Sequence, residues 1–359
     1  MTTVRVNLGP RAYDIEVASG LLQQSAAFFQ TRHPGRHAVL ICDANVCESF
    51  ARPLQRELIA AGYRCDLLEV PAGEASKCFA QVDRLCNELL RCKTDRKSIV
   101  IAIGGGVIGD LAGFVAASFL RGIAFFQIPT TLLAQVDSSV GGKVGINLPA
   151  AKNMVGAFWQ PSGVLIDLAA LQTLPQREYL SGLAEVVKYG MILDSPFFEY
   201  LESVVPEILA RDAEVLEIVV ARCCELKAQV VEKDEREETG LRAVLNYGHT
   251  FCHAIETVSG YGTFLHGEAV SIGMIQASRL AERLGRIEPE LTERQRTLLQ
   301  ALNLPISVSG LDPQRLLAAM QHDKKVEHGK LRFVLPNRLG NVEVVSDVSP
   351  DLVLDILQG

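Results

Sequence analysis

Short apolar runs alternate with helical patterns through the first half of the chain. Residues 38–42 form a continuous apolar run that stops at Asp43, residues 98–103 are strongly apolar again, and residues 65–70 are another strand candidate. Between them, residues 52–61 and 76–92 place apolar side chains at helical spacing. Residues 124–128 and 164–167 are further strand candidates. Strands apolar along their whole length are buried on both faces, and alternation with helices argues for a parallel sheet under covering helices. The texture changes after Pro175. Residues 177–192, 196–209, 213–234, 249–259 and 267–284 all show helical periodicity. The pattern predicts an α/β parallel-sheet domain over residues 1–175 and a mostly α-helical domain over residues 176–359. Residues 331–335 and 341–345 look like two short strands near the end.

A length of 359 residues suits two domains. With 48% hydrophobic and 21% charged residues, the composition is that of a folded chain rather than a disordered one. The net charge of −7 argues against nucleic acid as a partner, because phosphate backbones attract basic faces. Nine scattered cysteines with no CxxC pair fit a reducing cytoplasm better than a disulfide framework. Residues 1–10 lack the apolar core of a signal peptide, so the expectation is a cytoplasmic protein. The longest apolar stretch, residues 99–120, contains the triplet Gly104-Gly105-Gly106 and Asp110. It reads as strand, turn and helix rather than a membrane span, so no membrane partner is expected.

Within that stretch Gly104, Gly106 and Gly109 fit the G-x-G-x-x-G spacing of a Rossmann-like dinucleotide site. Glycines there let backbone amides approach a phosphate at a helix N-terminus. A ligand-free tight turn would need glycine as well. No acidic residue stands at the usual distance downstream. Asp43, at the end of an earlier strand, could hold an adenosine ribose or simply cap a helix.

Possible metal ligands gather in three segments. Glu185 and Lys188 lie at i, i+3, His249 and His253 at i, i+4, and His266 opens another apolar helix with Glu268 close behind. One carboxylate and two imidazoles with an open position make up a catalytic divalent-metal site. Taken singly, each histidine is an ordinary hydrogen-bonded residue, and His33, His37, His322 and His328 lie outside the group. No HExxH is present, so spacing alone does not decide which residues bind. Cys252 is available in principle. As the i+3 neighbour of His249 it would point partly away from a metal between helices, which favours packing.

Residues 129–160 mix polar and basic side chains into apolar sequence, including Thr130, Thr131, Asp137, Lys143, Lys152 and Asn153. Arg121, Lys188, Lys227, Arg242, Lys324 and Lys325 add cations. Each is a surface residue by default.

The strings around these residues carry a resemblance. Val107-Ile-Gly-Asp110-Leu-Ala-Gly-Phe, Pro129-Thr-Thr-Leu-Leu-Ala-Gln-Val-Asp137-Ser-Ser-Val-Gly-Gly-Lys143, Lys152-Asn153-Met-Val-Gly-Ala-Phe, Gly182-Leu-Ala-Glu185-Val-Val-Lys188-Tyr-Gly and Leu245-Asn246-Tyr-Gly-His249-Thr-Phe resemble the 3-dehydroquinate synthase family of the sugar phosphate cyclase superfamily. The resemblance runs from about residue 38 to residue 335 in the same order. It implies a phosphate-eliminating lyase of the shikimate pathway that turns 3-deoxy-D-arabino-heptulosonate 7-phosphate into 3-dehydroquinate and phosphate. NAD would take a hydride and return it, with elimination, ring opening and aldol closure completing the reaction. By motif, Glu185, His249 and His266 correspond to ligands of Zn²⁺ or Co²⁺. Ala72, Gly73, Glu74, Ala75, Ser76, Lys77, Gly106, Val107, Ile108, Gly109, Asp110, Thr130, Thr131, Lys143, Lys152, Ala170, Leu171, Gln172 and Thr173 correspond to the NAD-binding stretches, beside the candidate Asp43. Asp137, Lys143, Asn153, Lys188, Lys227, Arg242, Asn246, His253 and Lys324 fall where the family meets substrate, with His253 as proton shuttle. Arg121 resembles a residue that reaches a neighbouring subunit, which implies a homodimer. Cys252 departs from the family pattern, which often has glycine there.

Rival readings are a cyclase acting on a sugar phosphate without a carboxylate, a polyol dehydrogenase that releases NADH, and a non-catalytic NAD-binding module. Arg242 with Asn246 favours an acidic substrate, and the last reading leaves the Glu/His/His set unexplained.

Overall fold

The structure, a computed structural model, describes residues 1–149, 151–260, 262–321 and 331–358. It contains two compact units, one of Met1–Leu174 with Ala213–Arg236 and one of Pro175–Asp212 with Glu237–Gly359.

The first unit is built on strands β1 (Thr2–Val6), β2 (Tyr13–Ala18), β3 (His37–Asp43), β4 (Arg64–Val70), β5 (Ile99–Gly104) and β6 (Ala124–Pro129), then a hairpin of β7 (Lys143–Leu148) and β8 (Ala151–Phe158), and finally β9 (Gly163–Asp167). The main sheet runs β1-β2-β9-β6-β5-β3-β4, with β1 antiparallel and the remaining pairs parallel. All six residues of β5 are buried. Its neighbours split between two cores. Leu40, Ile101 and Phe126 pack with Phe28, Phe29 and Leu54 on one face, whereas Val39, Val100 and Phe125 pack with Leu85, Leu111 and Val115 on the other. Each such side chain contributes roughly 1.5–3 kcal/mol by burial, which explains why the sequence keeps β5 apolar on both faces.

Chain order reverses between β3 and β5: the chain leaves β3 towards β4 on one side, then continues from β5 on the other. The crevice at the carboxyl ends of such a pair is where open α/β sheets receive ligands. Asp43 ends β3 and Gly104 ends β5, so the two candidates sit side by side at this switch point.

One boundary needs correction. Sequence alone placed residues 213–234 in the helical half, but the helix Ala213–Lys233 packs on β1 and β2 and belongs to the first unit. Its long buried stripe, including Leu216, Val219, Val220, Cys223 and Val231, is satisfied by that sheet. A single cut cannot represent a chain that leaves a domain and returns.

The second unit holds the helices Gln176–Leu193, Ser195–Ser203, Val205–Leu209, His249–Ser259, His266–Arg283, Pro289–Ala301, Pro313–Gln321 and Pro350–Gln358, and the antiparallel pair β10 (Arg332–Arg338) and β11 (Asn341–Ser346). The single helix expected over 196–209 is two, broken where Val204 leaves helical geometry ahead of Pro206. Gln176–Leu193 and His266–Arg283 touch at backbone level. A Cβ on Gly267 would lie 1.7 Å from the Ser181 carbonyl oxygen, so only glycine fits there. Among the described residues, no helix is long and apolar enough to cross a membrane.

Candidate functional site

In the first unit the glycine turn after β5 opens the helix Gly106–Ser118, leaving that helix's first amides without intrahelical partners. Thr131 and Ser138 close in on it. A Cβ on Gly105 would lie 3.1 Å from Thr131 Cγ2, and one on Gly106 would lie 3.0 Å from Ser138 Oγ. Ile108 is core, while Val107 and Gly109 are half-buried. Asp43 accepts the Asn45 N–H at 2.8 Å and caps the turn Ala44–Val46, so the capping role is realised. Thr130 is buried and its N–H donates to the Gly104 carbonyl at 3.0 Å.

Asp110, one turn into the helix, joins a polar network. The buried Lys77 ammonium donates to Asp110 Oδ2 at 2.7 Å and to Asn153 Oδ1 at 2.6 Å. The Asn153 N–H donates to Asn147 Oδ1 at 2.8 Å, and Asn147 Nδ2 donates to Glu74 Oε1 at 2.7 Å. Burial pushes the Asp110 carboxyl up, against the pull of Lys77 and Lys227. Lys227 donates to the Asp137 carbonyl at 2.7 Å and to Asp137 Oδ1 at 2.8 Å. The structure thus links Glu74, Lys77, Asp110 and Asn153 directly, and couples Lys227 and Asp137. Ala72 and Gly73 lie in an exposed loop, Ala75 is exposed in the 3-10 turn Glu74–Ser76, and the Ser76 hydroxyl donates to the Pro71 carbonyl at 2.6 Å. Ala170 and Leu171 are core, while Gln172 and Thr173 face solvent. Lys143 is exposed at the start of β7 and Lys152 is half-buried on β8. Arg121 is exposed, with φ of 66°, and stands apart from the network.

In the second unit three helices meet around Glu185, which is 1% exposed. Its Oε1 lies 3.6 Å from His249 Nε2 and 3.5 Å from His266 Nε2. Tetrahedral ligands at about 2.1 Å from an ion are roughly 3.4 Å apart, so the three atoms are spaced to share one divalent cation. His249 Nδ1 lies 3.1 Å from the Tyr247 carbonyl oxygen. A carbonyl only accepts, so Nδ1 carries the proton and Nε2 presents its lone pair to the ion position. Tyr247 is itself fixed, its hydroxyl contacting Met274 O, Ser278 Oγ and Gln295 Oε1. Burial opposes a charged His266, but the Cys252 thiol and the Glu185 and Glu256 carboxylates outweigh it and hold the imidazole well above its ordinary value. A cation would replace that proton.

Lys188, also buried, places its ammonium against Glu185 Oε2. The His253 ring lies 5.8 Å from that of His249. Arg242 and Asn246 lie on the turn Leu241–Asn246, which packs on Gln176–Leu193 and leads into His249–Ser259. Arg242 is nearly fully buried, with Nε 3.7 Å from Glu237 Oε1. Lys324 lies outside the described residues, as do Lys325, His322 and His328. Sequence reasoning missed Glu256, whose Oε1 is 3.6 Å from His266 Nδ1. Its position seven residues after His249, on the same helical face, was the available signal. Reasoning also missed the Arg177–Glu268 pair, for which the sequence holds no signal, and that Cys252 packs against His266 itself.

The family model described as 3-dehydroquinate synthase N-terminal matches residues 67–181, and that described as 3-dehydroquinate synthase C-terminal matches residues 182–326. A 3-dehydroquinate synthase of Rhodopirellula baltica is 49% identical over 358 residues, covering 98% of this chain and 96% of the relative. Among solved structures, 2-deoxy-scyllo-inosose synthase complexed with carbaglucose-6-phosphate, NAD⁺ and Co²⁺ superposes with a TM-score of 0.91 at 26% identity, covering all of both chains. The 2-epi-5-epi-valiolone synthase of Streptomyces hygroscopicus, with NAD⁺ and Zn²⁺ bound, gives 0.88 at 27% identity over 96% of each chain.

Proposed function

The chain belongs to the 3-dehydroquinate synthase family, and on that premise we propose that it converts 3-deoxy-D-arabino-heptulosonate 7-phosphate to 3-dehydroquinate and phosphate, as a phosphate-eliminating lyase. The observation that carries this reading is the convergence of Glu185, His249 and His266 on one ion-sized position, from segments up to 81 residues apart. These three would hold Zn²⁺ or Co²⁺. The switch-point turn Gly104–Asp110, with Lys77, Thr130, Thr131, Lys143, Lys152 and the segment 170–173, would hold NAD. When bound, the ion would supply Lewis-acid polarisation of substrate hydroxyls, and NAD would supply a reversible hydride acceptor that ends the cycle unchanged.

The chain's own residues do the rest. Lys188 tempers the Glu185 charge and supplies an ammonium for the substrate. His253, half-exposed beside His249, moves a proton at the substrate hydroxyl. The buried Arg242 guanidinium suits a carboxylate bidentately, with Asn246 at its side. Lys143, Asn153, Lys227 and Lys324 suit a leaving phosphate, and Asp137 keeps Lys227 in place. We assign the enzyme to the cytoplasm, since no disulfide joins its nine cysteines. A second copy is proposed to dock on β8, bringing Arg121 to its partner.

The test incubates protein, Zn²⁺ and the heptulosonate phosphate with NAD⁺ at far less than one equivalent. Phosphate release should run to completion with no build-up of NADH. Accumulating NADH would make the protein a dehydrogenase. Equal turnover of a sugar phosphate lacking the carboxylate would make it a different cyclase.

A further inference from the structure

We propose that Cys252, Glu256 and His266 form a second metal site, which takes a soft divalent cation on the edge of the His266 ring opposite Glu185. Among the described residues, two groups of three His, Cys, Asp or Glu bring ligand atoms within 4.8 Å of one another: the Glu185 set and this one. Cys252 and Glu256 stand at i, i+4 on the helix His249–Ser259, so they share a face. The next helix begins with His266 and lays its ring across that face. Cys252 Sγ lies 3.8 Å from His266 Nδ1, and Glu256 Oε1 lies 3.6 Å from the same nitrogen. Tetrahedral zinc, with bonds of about 2.3 Å to sulfur and about 2.1 Å to nitrogen, sets those two ligand atoms roughly 3.6 Å apart. The ligand classes agree as well: a thiolate beside an imidazole and a carboxylate selects Zn²⁺, Co²⁺ or Cd²⁺ over Mg²⁺ or Ca²⁺.

His266 therefore belongs to both groups, through Nε2 towards Glu185 and through Nδ1 towards Cys252. Cys252 is fully buried, while the His266 side chain is one-third exposed, so an ion reaches the thiol along the imidazole. Binding forms metal–sulfur and metal–nitrogen bonds, breaks S–H and Nδ1–H, and sends both protons to solvent, with no change of oxidation state. Two dications on one ring repel each other. Filling the second site therefore weakens the first, and by reciprocity the first weakens the second. Excess soft metal would act as a brake on this chain, and Cys252 is the residue that creates it.

The experiment titrates metal-free protein with Co²⁺ without substrate or NAD. Wild type should bind two equivalents, with a thiolate-to-cobalt charge-transfer band growing during the second. Cys252→Ala should bind one equivalent with no band. His249→Ala should keep the band while losing the other site, so failure of the Glu185 site and failure of this one are distinguishable. Should Cys252→Ala fail to fold, Cys252→Ser replaces it, and the band must vanish there too. One equivalent without a band in wild type, or a band that survives loss of the Cys252 thiol, overturns the proposal.

Discussion

Lys77 is the side chain that gathers the first unit's polar network. It is buried, and its ammonium bridges Asp110 and Asn153 at 2.7 and 2.6 Å. Asn153 adopts φ of 55°, a conformation asparagine tolerates, and the bond from its N–H to Asn147 holds it there. Replacing Lys77 with Ala leaves the Asp110 carboxylate buried with less compensation, which should cost about 1.5–3 kcal/mol. Urea denaturation would show it as a lowered midpoint, and Lys77→Ala with Asp110→Asn should recover part of the loss. An unchanged midpoint would mean the bridge contributes nothing. Only the resemblance made Lys77 legible in the sequence. No spacing rule connects residues 77, 110 and 153, which meet because the ends of β4 and β5 and the strand β8 reach one place. His249 and His253 differ: four residues apart on a helix, they declare their shared face directly.

The helix His266–Arg283 begins at a residue proposed to hold the metal, and its start is firmly fixed. Glu268, at the third position, accepts the Leu265 N–H at 2.8 Å as a capping box does. Arg177 grips the same carboxylate through Nε and Nη2, each at 2.7 Å, and also donates to the Thr263 carbonyl at 2.9 Å. Burial raises the Glu268 carboxyl, but Arg177 and the cap prevail and leave it below its ordinary value. The sign follows. A depressed acid stabilises the fold above the ordinary carboxylate range, about pH 4.3, and loses that contribution as pH falls through the folded-state value. Arg177 is more than half exposed, so its removal should cost only about 0.5–1 kcal/mol near neutrality. Thermal unfolding of wild type and Arg177→Ala across pH should show the two curves merging on the acid side. A gap that persisted or widened there would sink the argument. The helix start at His266 is legible in the sequence, but the cap is not, because its N-cap is Leu265 rather than Ser or Thr. Nor is Arg177, because its partner is 91 residues away and nothing local marks it.

At the scale of the whole molecule, period and polarity revealed the layers and missed the hairpin β7–β8. The reason is physical. Residues 154–158 read Met-Val-Gly-Ala-Phe, apolar on both faces, so the alternation that betrays a half-buried strand is absent. In the fold, Val155 and Ala157 are half-buried while Met154 and Phe158 stay 49% and 39% exposed. Among the described residues β8 pairs only with β7, so an edge and an apolar stripe stand together. Folded chains blunt such edges with charge or cover them. This edge carries no charge between Asn153 and Trp159, so it fits the proposed docking of a second copy. A two-fold dimer would repeat the stripe on both sides of its axis, the self-complementary arrangement such interfaces require. Met154→Lys combined with Phe158→Glu would put desolvated charges into that contact. Wild type should sediment as a dimer and the double variant as a monomer, with unchanged far-ultraviolet circular dichroism. Both side chains are already exposed, so the substitutions leave the unit's own core intact. A wild type that sediments as a monomer at every concentration tested, or a double variant that stays dimeric, would remove β8 from the interface.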